Sequence, residues 1–139
     1  MNFLLDTCLL SELYRKRPNK NVANWVAGIE EHRLFVSVLS LGEIQKGVAK
    51  LNEGERKQKI QTWLDSDLQK RFANRIFPMD LEILLEWGRF CGECEKRWAS
   101  LPVIDSLLAA TAICRNLSVV TRNIGDFSRF PVKVFNPWQ

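Results

Sequence analysis

Four of the sixteen acidic residues in this 139-residue chain differ from the rest. Most acidic side chains lie beside basic ones on predicted helix faces, where water solvates them. The four exceptions are surrounded by apolar residues or follow a predicted strand: they are Asp6, Glu43, Asp105 and Asp126. A carboxylate in such a position can cap a helix, form a turn or bind a cation. Which of these roles applies decides what chemistry the chain can perform.

Each of the four carboxylates also has a purely structural interpretation. Asp6 can cap the helix that follows it, and Glu43 completes an S-x-x-E capping box that begins at Ser40. Asp105 can favour the N-terminal dipole of its helix, and Asp126 can form a turn. For Asp6 and Glu43, capping is the stronger interpretation when each residue is taken alone.

Short apolar strands alternate along the chain with amphipathic helices. Strands are predicted near residues 2–5, 34–38, 75–78, 118–121 and 132–135, and helices near 7–15, 21–29, 40–51, 56–72, 81–98 and 104–114. This alternation is typical of βαβ crossovers, which build a parallel sheet covered by helices. The sequence therefore predicts a single α/β domain over residues 1–139, without predicting the order of the strands.

The predicted elements bring the four carboxylates together. All four map to strand-to-helix junctions or helix starts, which gather at one edge of a parallel sheet. Gathered carboxylates repel one another, and a pKa among them rises unless a cation lies between them. The sequence has no basic residue between Ala99 and Ile113 to pair with Asp105. A hard divalent cation such as Mg²⁺ removes the repulsion and can activate water for displacement at phosphorus.

Several other kinds of chemistry lack the residues that they need. The single histidine, His32, lies beside two glutamates, which argues against a zinc hydrolase or a histidine-based triad. Cys91 and Cys94 form a CxxC within a helical pattern, without a second pair, so we interpret that spacing as chance. No phosphate-binding loop or dinucleotide-binding glycine motif follows any strand. An aspartyl phosphoacceptor needs an acidic pair at the first strand and a lysine after a late strand, and neither is present.

Charge and hydropathy limit the expected partners and compartment. The net charge of +4 and the pI near 9.0 indicate a polyanionic partner only weakly. The longest apolar runs are much shorter than the roughly 20 residues that a membrane span requires. No basic region precedes the first apolar residues, so a signal peptide is not predicted. We therefore expect a cytoplasmic protein without a membrane partner.

Four motifs in this chain resemble those of PIN domains in both order and spacing. The motifs are Leu4–Thr7, Ser40–Ile44, Ile104–Ala112 and Thr121–Phe127. The overall pattern is similar to the VapC-type toxins of type II toxin–antitoxin modules, and the ending Val134–Trp138 resembles their FitB-like branch. The resemblance covers essentially the whole chain. It implies an α/β/α sandwich with a central, mainly parallel sheet of four or five strands.

The same resemblance implies an endoribonuclease that depends on Mg²⁺ or Mn²⁺ and that a cognate antitoxin inhibits. Asp6, Glu43 and Asp105 match the three acidic positions of the family's metal site. Relatives place the last acid where either Asn123 or Asp126 stands in this chain. Only Asp126 is acidic here, so the fourth position is assigned to it while Asn123 stays an alternative oxygen donor.

Our hypothesis for the reaction is metal-assisted hydrolysis of an RNA phosphodiester. Asp6 and Asp105 would hold the main metal ion directly, whereas Glu43 and Asp126 would orient metal-bound water, with one ion or two left open. Basic residues near the motifs would seat the RNA backbone, although lysine and arginine also keep a surface soluble. These residues are Arg15, Lys16, Arg17, Lys46 and Arg122.

The resemblance also indicates supporting residues and partners. Thr7 and Thr121 match polar positions that orient ligands or water, and Cys8 stands where many relatives carry asparagine. Similar toxins are usually homodimers whose active site is covered by an antitoxin tail. The expected partners are therefore RNA, an antitoxin, a second copy of the chain, and operator DNA through the antitoxin alone. The alternative function is a catalytically silent PIN-fold partner that binds antitoxin and represses at the operator.

Overall fold

The computed structural model describes residues 1–97 and 100–139 of the chain. The strands are β1 (Asn2–Leu5), β2 (Leu34–Ser37), β3 (Ile76–Phe77), β4 (Leu117–Val120) and β5 (Val134–Phe135). The helices are α1 (Thr7–Tyr14), α2 (Lys20–Gly28), α3 (Val38–Ala49), α4 (Glu55–Thr62), α5 (Leu81–Glu95) and α6 (Val103–Arg115). Short 3₁₀ turns lie at Glu31–Arg33 and Ile124–Phe127.

The five strands form one sheet in the order β3–β2–β1–β4–β5, and every neighbouring pair is parallel. Helices cover both faces of this sheet. Leu4 and Leu5 are both fully buried, but Leu4 packs beneath α6 whereas Leu5 packs among α1, α2 and α3. Successive residues of a strand face opposite sides, so an unbroken apolar run is what a sheet covered on both faces requires. The predicted α/β/α class is confirmed.

The strand order creates a switch point between β1 and β4. The chain passes from β1 outward to β2 and β3, and then crosses to β4 on the other side of β1. Leu5 pairs in register with Val120, so Asp6 and Thr121 follow two adjacent strands at the same edge. Open α/β sheets hold their ligands in the crevice at such a point. The order that the sequence left open thus decides where a site can form.

The start of α3 differs from the prediction. The helix begins at Val38, and the Ser37 hydroxyl oxygen caps it by accepting the Leu39 backbone amide at 3.0 Å. Ser40 therefore lies inside the helix, where its hydroxyl is buried and has no hydrogen-bond partner among the described residues. The predicted capping box of Ser40 and Glu43 is wrong, because β2 ends at Ser37 and the helix starts at once.

Other predicted boundaries differ by smaller amounts. The predicted helix over 56–72 is α4, which continues through a π-helical turn at Trp63–Leu68 and a last turn at Gln69–Arg71. Helix α5 begins after its predicted cap Asp80, while its predicted end near Trp98 lies outside the described residues. Among the helices of the described residues, none is both long and apolar enough to cross a membrane.

Candidate active site

Asp6 lies at the carboxyl end of β1 and is only 7% exposed. Its Oδ1 accepts the Thr7 backbone amide at 2.7 Å, which caps α1. Its Oδ2 accepts the Thr121 hydroxyl at 2.8 Å and lies 3.7 Å from the Cys8 sulfur. One oxygen therefore caps the helix, while the other is held by the Thr121 hydroxyl, just after β4. Asp6 thus caps α1, as the sequence predicts, with only one of its two carboxylate oxygens.

Glu43 projects from the second turn of α3 and is held by a residue of α1. The Thr7 hydroxyl donates to Glu43 Oε1 at 2.6 Å. Thr7 thus contacts two of the predicted acids, Asp6 through its backbone amide and Glu43 through its side chain. This contact connects α1 with α3 and orients the Glu43 carboxylate.

Thr121 connects the loop after β4 to the same site. Its side chain is fully buried, and its hydroxyl oxygen accepts the Asn123 backbone amide at 3.0 Å while donating to Asp6. The Asp126 amide in turn donates to the Asn123 carbonyl at 3.1 Å. A chain of hydrogen bonds therefore runs from Asp6 through Thr121 to the turn that carries Asp126. Both predicted supporting threonines contact a predicted acid.

Asp105 lies in the first turn of α6, where it is half-buried. Its pKa is raised to about 6, first by burial and then by the charges of Asp6, Asp126 and Glu43, in that order. All three of the other predicted acids therefore lie near enough to affect Asp105. None of the ion pairs in the described part of the chain involves any of the four acids.

The donor set suits a hard divalent cation. Four carboxylates and the two threonine hydroxyls supply only oxygen, which Mg²⁺ and Mn²⁺ prefer. Within residues 1–97 and 100–139, no three His, Cys, Asp or Glu side chains are close enough together to hold one metal ion jointly. A direct shell of one or two carboxylates, with the others acting through water, agrees with that spacing.

The basic residues predicted to seat RNA lie in three places. Arg15–Arg17 follow α1, and Arg15 pairs there with Glu12 at 3.4 Å. Lys46 is exposed on α3, about one turn beyond the glutamate of the site. Arg122 is exposed and comes directly after Thr121, the buried threonine that follows β4. The structure places all of them on elements that carry or adjoin the acids.

A groove of about 590 Å³ lies between α1, α3 and α4 beside the acids. Thr7 and Glu43 belong to both the groove and the acidic cluster. Apolar side chains of α3 and α4 and the aromatic pair Tyr14–Trp63, whose ring centroids are 4.8 Å apart, line much of the remainder. A long molecule that contacts the acids can therefore continue along this groove.

Two residues near the site are absent from the predicted set. Glu12 is an acid on the apolar face of α1, and it is buried to 7% exposure. Trp138 belongs to the ending that carried the family resemblance, and it packs against Arg122. Glu12 could have been found from the sequence, because it is an acidic residue that lies among the leucines of a predicted helix. The contact of Trp138 is not visible in the sequence, because fifteen residues separate it from Arg122.

The whole chain is similar to proteins of known family. The PIN domain family matches residues 3–133. Toxin FitB from Neisseria gonorrhoeae is 32% identical over 97% of each chain. VapC ribonuclease Y4jK from Sinorhizobium fredii is 26% identical over 98% of this chain and 97% of the relative.

A solved structure has the same fold. The crystal structure of VapBC2 from Rickettsia felis, bound to a DNA fragment from its promoter, matches with a TM-score of 0.81. The sequence identity is 26%, and the match covers 98% of each chain. Together with the acids at the switch point, these matches confirm the predicted resemblance. The chain belongs to the PIN-domain family, in the group that contains Toxin FitB and the VapC ribonucleases.

Proposed function

We propose that this protein is a metal-dependent endoribonuclease and the toxin of a type II toxin–antitoxin module. The observation that carries the proposal is the group of four carboxylates around Asp105, which has no cationic partner in the described residues. The names of the relatives, a toxin and a ribonuclease, support it. We also propose that residues 1–139 form one PIN domain, since both core layers share one sheet.

Each residue of the site has a proposed role in the reaction. Asp6 and Asp105 would hold Mg²⁺ or Mn²⁺, which when bound supplies an activated water and offsets charge developing on the phosphate. Glu43 and Asp126 orient the attacking water by accepting its hydrogen bonds. The threonine hydroxyls bonded to Asp6 and Glu43 hold those carboxylates in place before RNA arrives. Asn123 is the alternative to Asp126 as the last oxygen donor.

Mutation of the two proposed metal ligands tests this function. We expect Asp6→Asn and Asp105→Asn each to lower the rate of RNA cleavage at least about 100-fold in Mg²⁺ or Mn²⁺. The measurement is cleavage of an end-labelled RNA by the purified protein, with circular dichroism to confirm that the fold is intact. Asp67→Asn is the matched control, because Asp67 is exposed on the last part of the α4 region. Retained metal-dependent cleavage by Asp105→Asn would contradict the proposal.

The same assay separates the enzyme from the alternative of a catalytically silent partner. A silent PIN-fold protein would not cleave RNA in either metal but would still bind antitoxin and operator DNA with it. The chain has all four predicted acids, and the charges of the other three reach Asp105, which supports the enzyme.

We propose three further partners for the protein. A cognate antitoxin would cover the acids by lying in the groove between α1, α3 and α4. Operator DNA would bind only through that complex, as the promoter-bound VapBC2 structure suggests. A second copy of the chain would pack on the exposed apolar stripe Leu81, Leu84 and Leu85 of α5. The RNA substrate would reach the acids through the basic residues Arg15, Lys16, Arg17, Lys46 and Arg122.

A further inference from the structure

Trp138, the second-last residue of the chain, is held at several points. Its backbone amide donates to Asn136 Oδ1 at 2.8 Å, and its carbonyl oxygen accepts the Asn21 side-chain amide at 3.1 Å. Its ring packs against the core layer that contains α1 and α2. The Trp138 backbone is therefore held at both its amide and its carbonyl, and its side chain lies against this core layer.

The charge of Glu12 lies beside this indole. The backbone amide of Asn19, which donates to Glu12 at 2.9 Å, holds the pKa of Glu12 below its usual range. The charge of Arg15 and a hydrogen bond from Trp138 lower that pKa further. Glu12 therefore favours its ionised form beside the Trp138 side chain.

The Trp138 ring and its neighbour Asn136 contact Arg122. The guanidinium carbon of Arg122 lies 5.7 Å from the centroid of the Trp138 ring, within the range of cation–π attraction. The Asn136 side-chain amide donates to the Arg122 carbonyl oxygen at 3.5 Å. The backbone and the side chain of Arg122 are thus both held by the last residues of the chain.

Arg122 combines a position beside the acidic site with an aromatic partner. It directly follows Thr121, whose hydroxyl donates to Asp6, so its backbone begins within one residue of the acidic site. It is exposed, and in the part of the chain that the structure describes it forms no ion pair with a carboxylate. An aromatic face does not use the N–H donors of a guanidinium, which point outward in the plane of the group.

A guanidinium that is held in place and keeps its donors free is suited to binding phosphate. Arginine matches phosphate with two parallel hydrogen bonds, and a side chain that is already ordered loses less entropy on binding. A lysine or arginine kept only for solubility needs neither a ring beneath it nor a fixed backbone. The contacts around Arg122 therefore favour a binding role.

We propose that Arg122 binds a phosphate of the RNA strand beside the acidic site, and that Trp138 is a positioning residue that holds Arg122 there. This inference rests on the proposed ribonuclease function. Among the basic residues that adjoin the site, it assigns RNA binding to Arg122, and it gives Trp138 a positioning role.

RNA binding measured without cleavage tests the inference. Fluorescence anisotropy of a labelled single-stranded RNA is followed in an Asp6→Asn background, which does not cut. We expect Arg122→Gln to weaken binding about 10-fold at moderate salt and to reduce the slope of log affinity against log salt by about 0.7. Trp138→Leu, which fills the space without an aromatic face, should weaken binding similarly, and Trp138→Phe should retain most of it.

Arg33→Gln is the matched control. Arg33 also lies over an aromatic ring, 5.5 Å from the centroid of Phe3, but it donates to the Met1 carbonyl oxygen at the opposite edge of the sheet. The same charge is lost there, so Arg33→Gln should leave RNA affinity nearly unchanged. Thermal melts of every variant separate a loss of binding from a loss of folding.

Kinetics in the cleaving protein show whether Trp138 acts through Arg122. Arg122→Gln and Trp138→Leu should each raise KM with little change in kcat, and the double variant should be no worse than Arg122→Gln alone. Additive effects of the two changes would overturn the positioning role. Equal effects of Arg122→Gln and Arg33→Gln on binding would overturn the phosphate contact. If the wild-type protein neither binds nor cleaves RNA, the proposed function itself fails.

Discussion

At the scale of single residues, Asp6 combines two roles that appear as alternatives in the sequence. Its Oδ1 caps α1 through the Thr7 amide, while its Oδ2 is held by the Thr121 hydroxyl at the edge of the acidic cluster. A carboxylate has two oxygens and several lone pairs, so capping does not exclude binding a cation. An aspartate at the end of a buried strand should therefore be judged by where the other acids lie.

Replacing Asp105 with asparagine should stabilise the metal-free protein at neutral pH. The pKa of Asp105 is raised from 3.8 to about 6, so the folded state favours the protonated carboxyl. That contribution to stability is complete below pH 3.8 and is lost as the pH rises through about 6. Asparagine cannot ionise. We expect its thermal midpoint to exceed that of wild type by about 3 °C above pH 7, after allowance for solvent screening.

Thermal melts in a chelator at neutral pH and near pH 4 check this expectation. The advantage of Asp105→Asn should shrink as the pH falls, because protonation removes the same charge from the wild-type protein. Asp67→Asn should show no such pH-dependent gain. A variant less stable than wild type at neutral pH would mean that burial and repulsion do not strain Asp105.

At the scale of elements, the first turn of α3 shows how a strand end sets a helix start. The sequence offers two serines, and the S-x-x-E pattern favours Ser40. In the structure β2 ends at Ser37, whose hydroxyl oxygen accepts the Leu39 amide. Glu43 is then one turn inside the helix and is bonded to Thr7. Because the helix begins at Val38 and Ser37 caps it, Glu43 takes no part in capping.

The two serines should respond oppositely to alanine. Ser37→Ala removes the cap and should lower the free energy of unfolding by about 1 kcal/mol. Ser40→Ala removes a buried hydroxyl that has no partner among the described residues, so stability should be unchanged or slightly higher. Urea denaturation of both variants gives the comparison. A larger loss for Ser40→Ala than for Ser37→Ala would restore the predicted capping box.

At the scale of the whole molecule, the site exists because the order in which the chain adds strands to the sheet reverses at β1. The acids come from the end of β1, the second turn of α3, the first turn of α6 and the 3₁₀ turn that follows β4. Those elements meet only because β4 lies on the opposite side of β1 from β2. Residues that are a hundred positions apart in the chain thereby share one edge.

The apolar stripe of α5 predicts the oligomeric state. Leu81 and Leu85 are 73% and 65% exposed on one face of the helix, which is unusual for a single chain in water. We expect light scattering to show a dimer of the 16.1 kDa chain, and Leu81→Glu with Leu85→Glu to shift it to monomer. Phe135→Glu on the edge strand β5 is the control, since Phe135 is 41% exposed outside the stripe. A double variant that remains dimeric would exclude this face.

Local patterns in the sequence were sufficient for the fold class and for the candidate acids. Apolar runs such as Phe3–Leu5 predict strands buried on both faces, because a half-exposed strand would alternate. Asp6 directly follows such a run, whereas Asp105 lies at the start of the helix before β4 and Asp126 in the turn after it. Parallel strands alone predict that these acids lie toward one edge of the sheet, whereas the strand order decides that they meet there.

The tertiary structure alone decided the strand order, the register and the contacts that orient the acids. The apolar pattern of a strand is the same whichever strand it pairs with. The pairing of Leu5 with Val120 therefore depends on packing between distant helices. That register brings Thr121 to Asp6. The contact of Trp138 with Arg122 likewise depends on how the chain returns after β5. Local preference determines each element, whereas burial shared by distant residues determines which elements meet.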